Sequence, residues 1–189
     1  SPTENWLNAL QHSPTPYVRL VAMNQFGTKK TSEEAVMALG KILTDSSIHP
    51  QLRTYAASAL GRIATSNAID TLILGAQDPS PDVRSGSLKG LAKTPTTTKT
   101  VRAVQNILRN DKTPWVRSSA LDALSKLDKE AAISASRSAL NQPLSLKREP
   151  VARAAIQILG RRGSREDISR LLVFLSAKTL CQVTYIAPE

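Results

Sequence analysis

Pro114-Trp115-Val116-Arg117-Ser118-Ser119-Ala120-Leu121-Asp122-Ala123-Leu124 is the stretch on which the fold turns. Its apolar side chains recur at intervals of three and four, which is the period of an α-helix with one buried face and not the alternation of a strand. Pro114, two residues before Val116, suits a first helical turn, where a missing N–H costs nothing.

The block is not unique. Segments beginning at Val18, Leu52, Val83, Val116 and Val151 align without gaps, with successive starts 34, 31, 33 and 35 residues apart. Counting each start as position zero, position four is Ala22, Ala56, Ser87, Ala120 and Ala155, and position eight is Phe26, Leu60, Leu91, Leu124 and Leu159. Position five is Met23, Ala57, Leu88, Leu121 and Ile156. At roughly 100° per residue these positions share one arc, so each segment reads as an amphipathic helix. Ala59, Gly90 and Ala123 put small residues at position seven, where a neighbouring helix can approach closely. Pro16, Pro50, Pro81 and Pro150 introduce the other four blocks, and the helices are expected near 16–28, 50–64, 81–93, 114–127 and 149–162.

Between them lie further helical stripes at 34–43, 68–76, 101–108 and 130–140, so each repeat is a helix pair. Trp6, Leu7 and Leu10 mark one more helix at the N-terminal end, and Ile168, Leu171, Leu172 and Leu175 another after the last pair, opened by Ser164 and Asp167 as a capping box. Repeats with a period near 33 stack into a solenoid. Residues 1–178 read as this repeat domain and 179–189 as a tail, apolar and strand-prone from Val183 to Ile186, that covers the last helix or marks a cut in a longer protein.

The pattern Pro-x-Val-Arg-x-x-Ala-x-x-Ala-Leu, full from Pro114 to Leu124 and varied from Pro50 to Leu60, resembles the second helix of a HEAT-like repeat of the phycobilisome-lyase type. The resemblance implies an all-α, right-handed α-α superhelix of about five helix pairs plus a terminal helix. It also implies that the arginine at position one pairs with an aspartate of the preceding turn. Asp78 and Asp111 each stand six residues before Arg84 and Arg117, Arg53 occupies the same position in the second repeat, and Asp45 is an offset candidate. Position one projects into the apolar arc, so these arginines are expected to be structural.

A second basic series, Arg62, Lys93, Lys126 and Arg161 at position ten, lies on the polar face with positions two and six. Thr28 holds that place in the first repeat. The expected partner-binding set on the concave side is therefore Thr54, Ser58 and Arg62; Ser85, Lys89 and Lys93; Ser118, Asp122 and Lys126; Arg153, Gln157 and Arg161. Position ten is also the last helical turn, where a cation is favoured by the helix dipole in any case.

The chain of 189 residues carries a formal charge of +10, concentrated towards residues 129–163, where Arg137, Lys147, Arg148, Arg153, Arg161 and Arg162 lie. Such a gradient attracts an acidic protein or a polyanion. Aromatic platforms for single-stranded nucleic acid are scarce, and Trp115, at a helix start, reads as packing between repeats. No run approaches the ~20 apolar residues of a membrane span.

Catalytic groups are sparse. One cysteine, Cys181, excludes an internal disulfide and a thiolate metal cluster, and His12 and His49 are each unaccompanied by a following glutamate. The His-Glu iron sites of the HEAT-like deoxyhypusine hydroxylases are therefore not matched, and Asp122 with Trp115 is a thin match to the HEAT-like DNA glycosylases. The expectation is a noncatalytic interaction module without metal or cofactor that binds a protein, with an acidic segment, on its concave face. The alternatives are a nucleic-acid binder using the basic face of repeats three to five and an accessory subunit of a lyase-type enzyme.

Overall fold

Prolines and short polar side chains divide the helix starts between them. Pro16, Pro50, Pro81, Pro114 and Pro150 are the first residues of α2 (Pro16–Gln25), α4 (Pro50–Ile63), α6 (Pro81–Leu91), α8 (Pro114–Leu127) and α10 (Pro150–Arg162). The first helices of the pairs begin differently. In α3 (Glu33–Thr44), α5 (Ser66–Gly75), α7 (Thr98–Asn110) and α9 (Lys129–Leu140), the side chains of Ser32, Thr65, Thr97 and Asp128 accept the N–H three residues on. Each such cap satisfies a donor that the helix itself leaves unpaired.

The computed structural model describes residues 2–27, 31–141 and 150–175. With α1 (Pro2–His12) and α11 (Arg165–Leu175) there are eleven helices and no strand among the described residues. The second helices stack in order, α2 on α4, α4 on α6, α6 on α8 and α8 on α10, and the first helices α3 and α5 pack beside them. The chain is an all-helical solenoid. Thr28, Lys147, Arg148, Cys181 and the tail 179–189 lie outside the described residues.

The repeat register is also the burial register. All five residues at position four and all five at position eight are at most 4% exposed, Ser87 among them. The first helices add Leu39, Leu43, Leu72, Val104 and Ile133 to the same core. Glycines let α4 and α6 approach closely. A Cβ built on Gly61 would lie 2.6 Å from the carbonyl oxygen of Gly90, and one on Gly90 would lie 2.7 Å from that of Ala57. The two backbones touch because neither helix carries a side chain there.

The arginine ladder runs forward, not backward as the resemblance implied. Arg53 pairs with Asp78, and Arg84 with Asp111, each reaching the turn of the next repeat. Towards its own preceding turn Arg84 donates to the backbone, to the carbonyls of Asp78 at 3.0 Å and Pro79 at 3.1 Å. Arg117 likewise donates to the carbonyl of Asp111 at 2.8 Å, and Arg53 to that of Leu43 at 2.8 Å. Asp78 and Asp111 also accept the N–H two residues on, at 2.9 and 2.8 Å, so each turn presents its carbonyls to its own arginine and its carboxylate to the repeat before. Asp45 stays out of the ladder, its carboxylate accepting from the N–H and hydroxyl of Ser47.

At the far end Asp167, 1% exposed, accepts both prongs of Arg137 from α9, at 2.9 Å each, and the N–H of Ser164 at 2.9 Å. Arg137 thus braces the last helix. The apolar stripe of α11 divides: Leu171 packs against the core, whereas Ile168 and Leu172 are more than half exposed. The hydrogen bond from Arg137 holds the Asp167 carboxyl down to about 2, its burial opposing and the Ser164 N–H assisting. A carboxylate whose pKa is depressed on folding contributes stability above its unfolded value and loses it as pH falls through the folded one. The docking of α11 on α9 is therefore expected to weaken between about pH 4 and 2. Asp167→Asn should remove that part of the acid transition while lowering stability at neutral pH, as urea titrations at both pH values would read.

Candidate functional site

The C-terminal turns of the second helices carry the cations. Arg62 ends α4, Lys93 follows α6, Lys126 ends α8 and Arg161 ends α10, and the dipoles of those turns favour positive charge. These four are not equivalent. Arg62 is half-buried, donating to the carbonyls of Met23 at 3.0 Å and Phe26 at 3.2 Å, so it closes the end of α2. Lys93, Lys126 and Arg161 are exposed. Lys93 donates to the Ser58 hydroxyl at 3.1 Å. Partial burial, with the charges of Arg62 and Lys126 beside it, pulls the Lys93 ammonium below its usual pKa.

Three cations from successive repeats therefore feel one another across the stack. Asp122 lies next in the line, between Lys89 and Lys126, and burial raises its carboxyl against the pull of both. Asp122, Lys126, Gln157, Arg161 and Arg162 line one shallow cavity of about 240 Å³. Lys93 thus stands near both Arg62 and Lys126, and Lys126 shares a cavity with Arg161, with the Asp122 carboxylate among them.

Of the smaller members of the expected set, Ser85 is buried and Thr54, Ser58 and Ser118 are partly exposed. Ser85 is 5% exposed and shares a hydrogen bond of 2.8 Å with Ser119 on α8. Thr54 donates to the carbonyl of Pro50 at 2.9 Å and its methyl fills the space above Gly86; Ser118 donates to the carbonyl of Pro150 at 3.3 Å. Position two lies towards the seams between second helices, where Ser85 is sealed and Thr54 and Ser118 stay only partly open to solvent. Lys89, Asp122, Arg153 and Gln157 do reach it. Arg137 is engaged by the Asp167 carboxylate, whereas Arg162 donates to the carbonyl of Ser125 and stays exposed, with no carboxylate paired to it among the described residues.

At the opposite ends of α4, α6 and α8 lies a cleft of about 560 Å³ that includes Pro50, Tyr55, Asp82, Lys89 and Trp115. Tyr55 is 38% exposed and Trp115 39%, so each ring is partly covered and partly open to the cleft. A signal for this cleft was present in the helical wheel. Counted at roughly 100° per residue, Trp115 at position minus one, Tyr55 at position three and the cations at position ten project at about 260°, 300° and 280°. They form one stripe, aromatic at the helix starts and cationic at the ends.

His49 lines the same cleft, and its Nδ1 accepts the N–H of Gln51 at 3.3 Å as a helix cap. His12 is exposed at the end of α1. Among the described residues no group of three His, Cys, Asp or Glu side chains stands close enough to hold a metal ion, and no helix is long and apolar enough to cross a membrane.

A family model described as HEAT repeats matches residues 3–77 and 69–149. No curated protein matches the chain. Among solved structures it is similar to an engineered protein, with a TM-score of 0.46 and 14% identity over all of this chain and 93% of that one. It is also similar to a designed armadillo repeat protein in complex with the peptide (KR)4, with a TM-score of 0.48 and 16% identity over all of this chain and 94% of that one.

Proposed function

Because this chain belongs to the HEAT repeat family, we propose that it is a noncatalytic interaction module that binds an acidic segment of a partner protein across the ends of its second helices. The observation that carries this reading is the convergence of Arg62, Lys93 and Lys126 from three repeats, continued by the cavity that Lys126 shares with Arg161. Packed helices stand about 8–10 Å apart, which an extended chain spans in about three residues. Carboxylates at that interval would meet one cation per repeat.

Like charges held together raise the free energy of the unbound face, and an anion relieves it. Lys93 and Lys126 should contribute most, because Arg62 is already engaged by the end of α2. Titration of a fluorescein-labelled peptide carrying glutamate at every third residue tests this. Binding should weaken as salt rises, and Lys93→Glu with Lys126→Glu should cost at least about tenfold in affinity. No measurable binding at low salt would end the proposal. Tighter binding of a random-sequence DNA duplex, with a steep salt dependence, would replace it with the nucleic-acid reading.

A further inference from the structure

We propose that the Tyr55–Trp115 cleft is the anchor pocket of this binding face, taking one aromatic side chain of the partner segment whose acidic residues lie over the cations. The inference rests on the acidic-segment reading above and adds to it what selects the segment. Two observations carry it. First, Tyr55 and Trp115 are large rings, each more than a third exposed, brought from different repeats to one cleft that Pro50, the first residue of α4, also lines. Rigid aromatic surface at a concave site is the kind that supplies binding energy at small entropic cost, and it pairs with an aromatic side chain by stacking.

Second, the cleft is joined to the charge. Lys89 lines it and also acts electrostatically on Asp122, which lines the cavity shared by Lys126 and Arg161. Aromatic and cationic residues thus occupy two ends of one stripe. From position three to position ten a helix rises about 10 Å, and from minus one to ten about 16 Å. An extended chain covers those lengths in about three to five residues. The cleft also has a polarity. Asp82 stands at the first turn of α6 and Lys89 two turns further on, so a bound segment meets a negative charge at one edge and a positive one at the other. Its acidic residues then point towards the helix C-termini, and the residues on the Asp82 side carry none. The ligand class that fits is an extended segment with one aromatic residue and a glutamate or aspartate cluster three to five residues from it.

A peptide of one phenylalanine, four Gly/Ser residues and four glutamates is the probe, with analogues in which the phenylalanine is alanine or lysine, followed by fluorescence anisotropy. The phenylalanine peptide should bind at least about tenfold more tightly than the alanine peptide. Tyr55→Ala and Trp115→Ala should each erase that advantage and leave the alanine peptide's affinity unchanged, while Lys126→Glu should weaken both peptides alike. The native fold provides an independent reading: with Trp6→Phe, Trp115 is the remaining tryptophan, and its emission should shift to the blue on adding the phenylalanine peptide and not the alanine one. Equal binding of the phenylalanine and alanine peptides overturns the anchor and leaves the acidic-segment reading standing. A lysine peptide that binds as well as the phenylalanine one also overturns it, because the rings and Asp82 would then be holding a cation. If no glutamate peptide binds at all, both fall.

Discussion

Arg84→Ala is expected to lower the melting temperature by on the order of 10 °C while leaving the helical circular dichroism of the folded chain intact. The Arg84 guanidinium makes five hydrogen bonds: to the two Asp111 oxygens at 2.6 and 2.9 Å, to the Thr113 hydroxyl at 3.0 Å, and to the carbonyls of Asp78 and Pro79. Both side chains of the pair are under 10% exposed. Removing one partner leaves the other charge desolvated and unpaired, which costs about 3–5 kcal/mol.

Asp111 registers the same balance from its own side. Its burial opposes ionisation, but the hydrogen bonds from Arg84 and Thr113 and the charge of Arg84 outweigh that and keep its carboxyl below the ordinary value. The double variant Arg84→Ala, Asp111→Asn should therefore be more stable than Arg84→Ala alone. The asparagine oxygen can still accept the Thr113 N–H, and the stranded charge is gone. Arg84→Lys should recover only a fraction, since an ammonium cannot span two carbonyls, a hydroxyl and a carboxylate from one plane. An unchanged melting temperature in Arg84→Ala would refute the structural role.

The second large effect comes from one substitution made at two places. Gly61→Ala is expected to destabilise the chain by about 1–3 kcal/mol, and Gly160→Ala to stabilise it by up to about 1 kcal/mol. Both glycines occupy position nine of their repeats, inside α4 and α10. Alanine is the better helix former at each. A Cβ on Gly61 meets the backbone of Gly90 at 2.6–2.9 Å, which no rotamer change can relieve, so α4 and α6 must separate; a Cβ on Gly160 meets nothing within 4 Å. Chemical denaturation of the two variants should give shifts of opposite sign. Shifts of the same sign would show that the α4–α6 contact is looser than the structure has it.

Much of the fold is legible in the sequence. Five prolines mark the starts of five helices, and the apolar register names the core at positions four and eight, because burial on a helix follows a fixed angular period, whereas Val18 at position zero stays exposed. The position-one arginines are legible as structural for the same reason: a charge that emerges inside the apolar arc must find partners there. Their partners are not legible, since Asp78 and Asp111 are near Arg84 and Arg117 in the chain yet are used by Arg53 and Arg84.

The binding face is only half written in the register. Position ten yields the cations, but Arg62 turns back to close α2 and Ser85 is sealed in a seam, outcomes that depend on how closely neighbouring helices pack. The Tyr55–Trp115 cleft needed two residues from different repeats and different register positions to be brought together. By itself, then, the sequence determined the helices, their inward faces and their stacking, because those follow from local periodicity and from capping chemistry. Only the tertiary structure decided which neighbour each side chain meets, because the spacing and rotation between successive helices are set by packing at a few contacts such as Gly61 on Gly90, and a repeat pattern averages over those contacts.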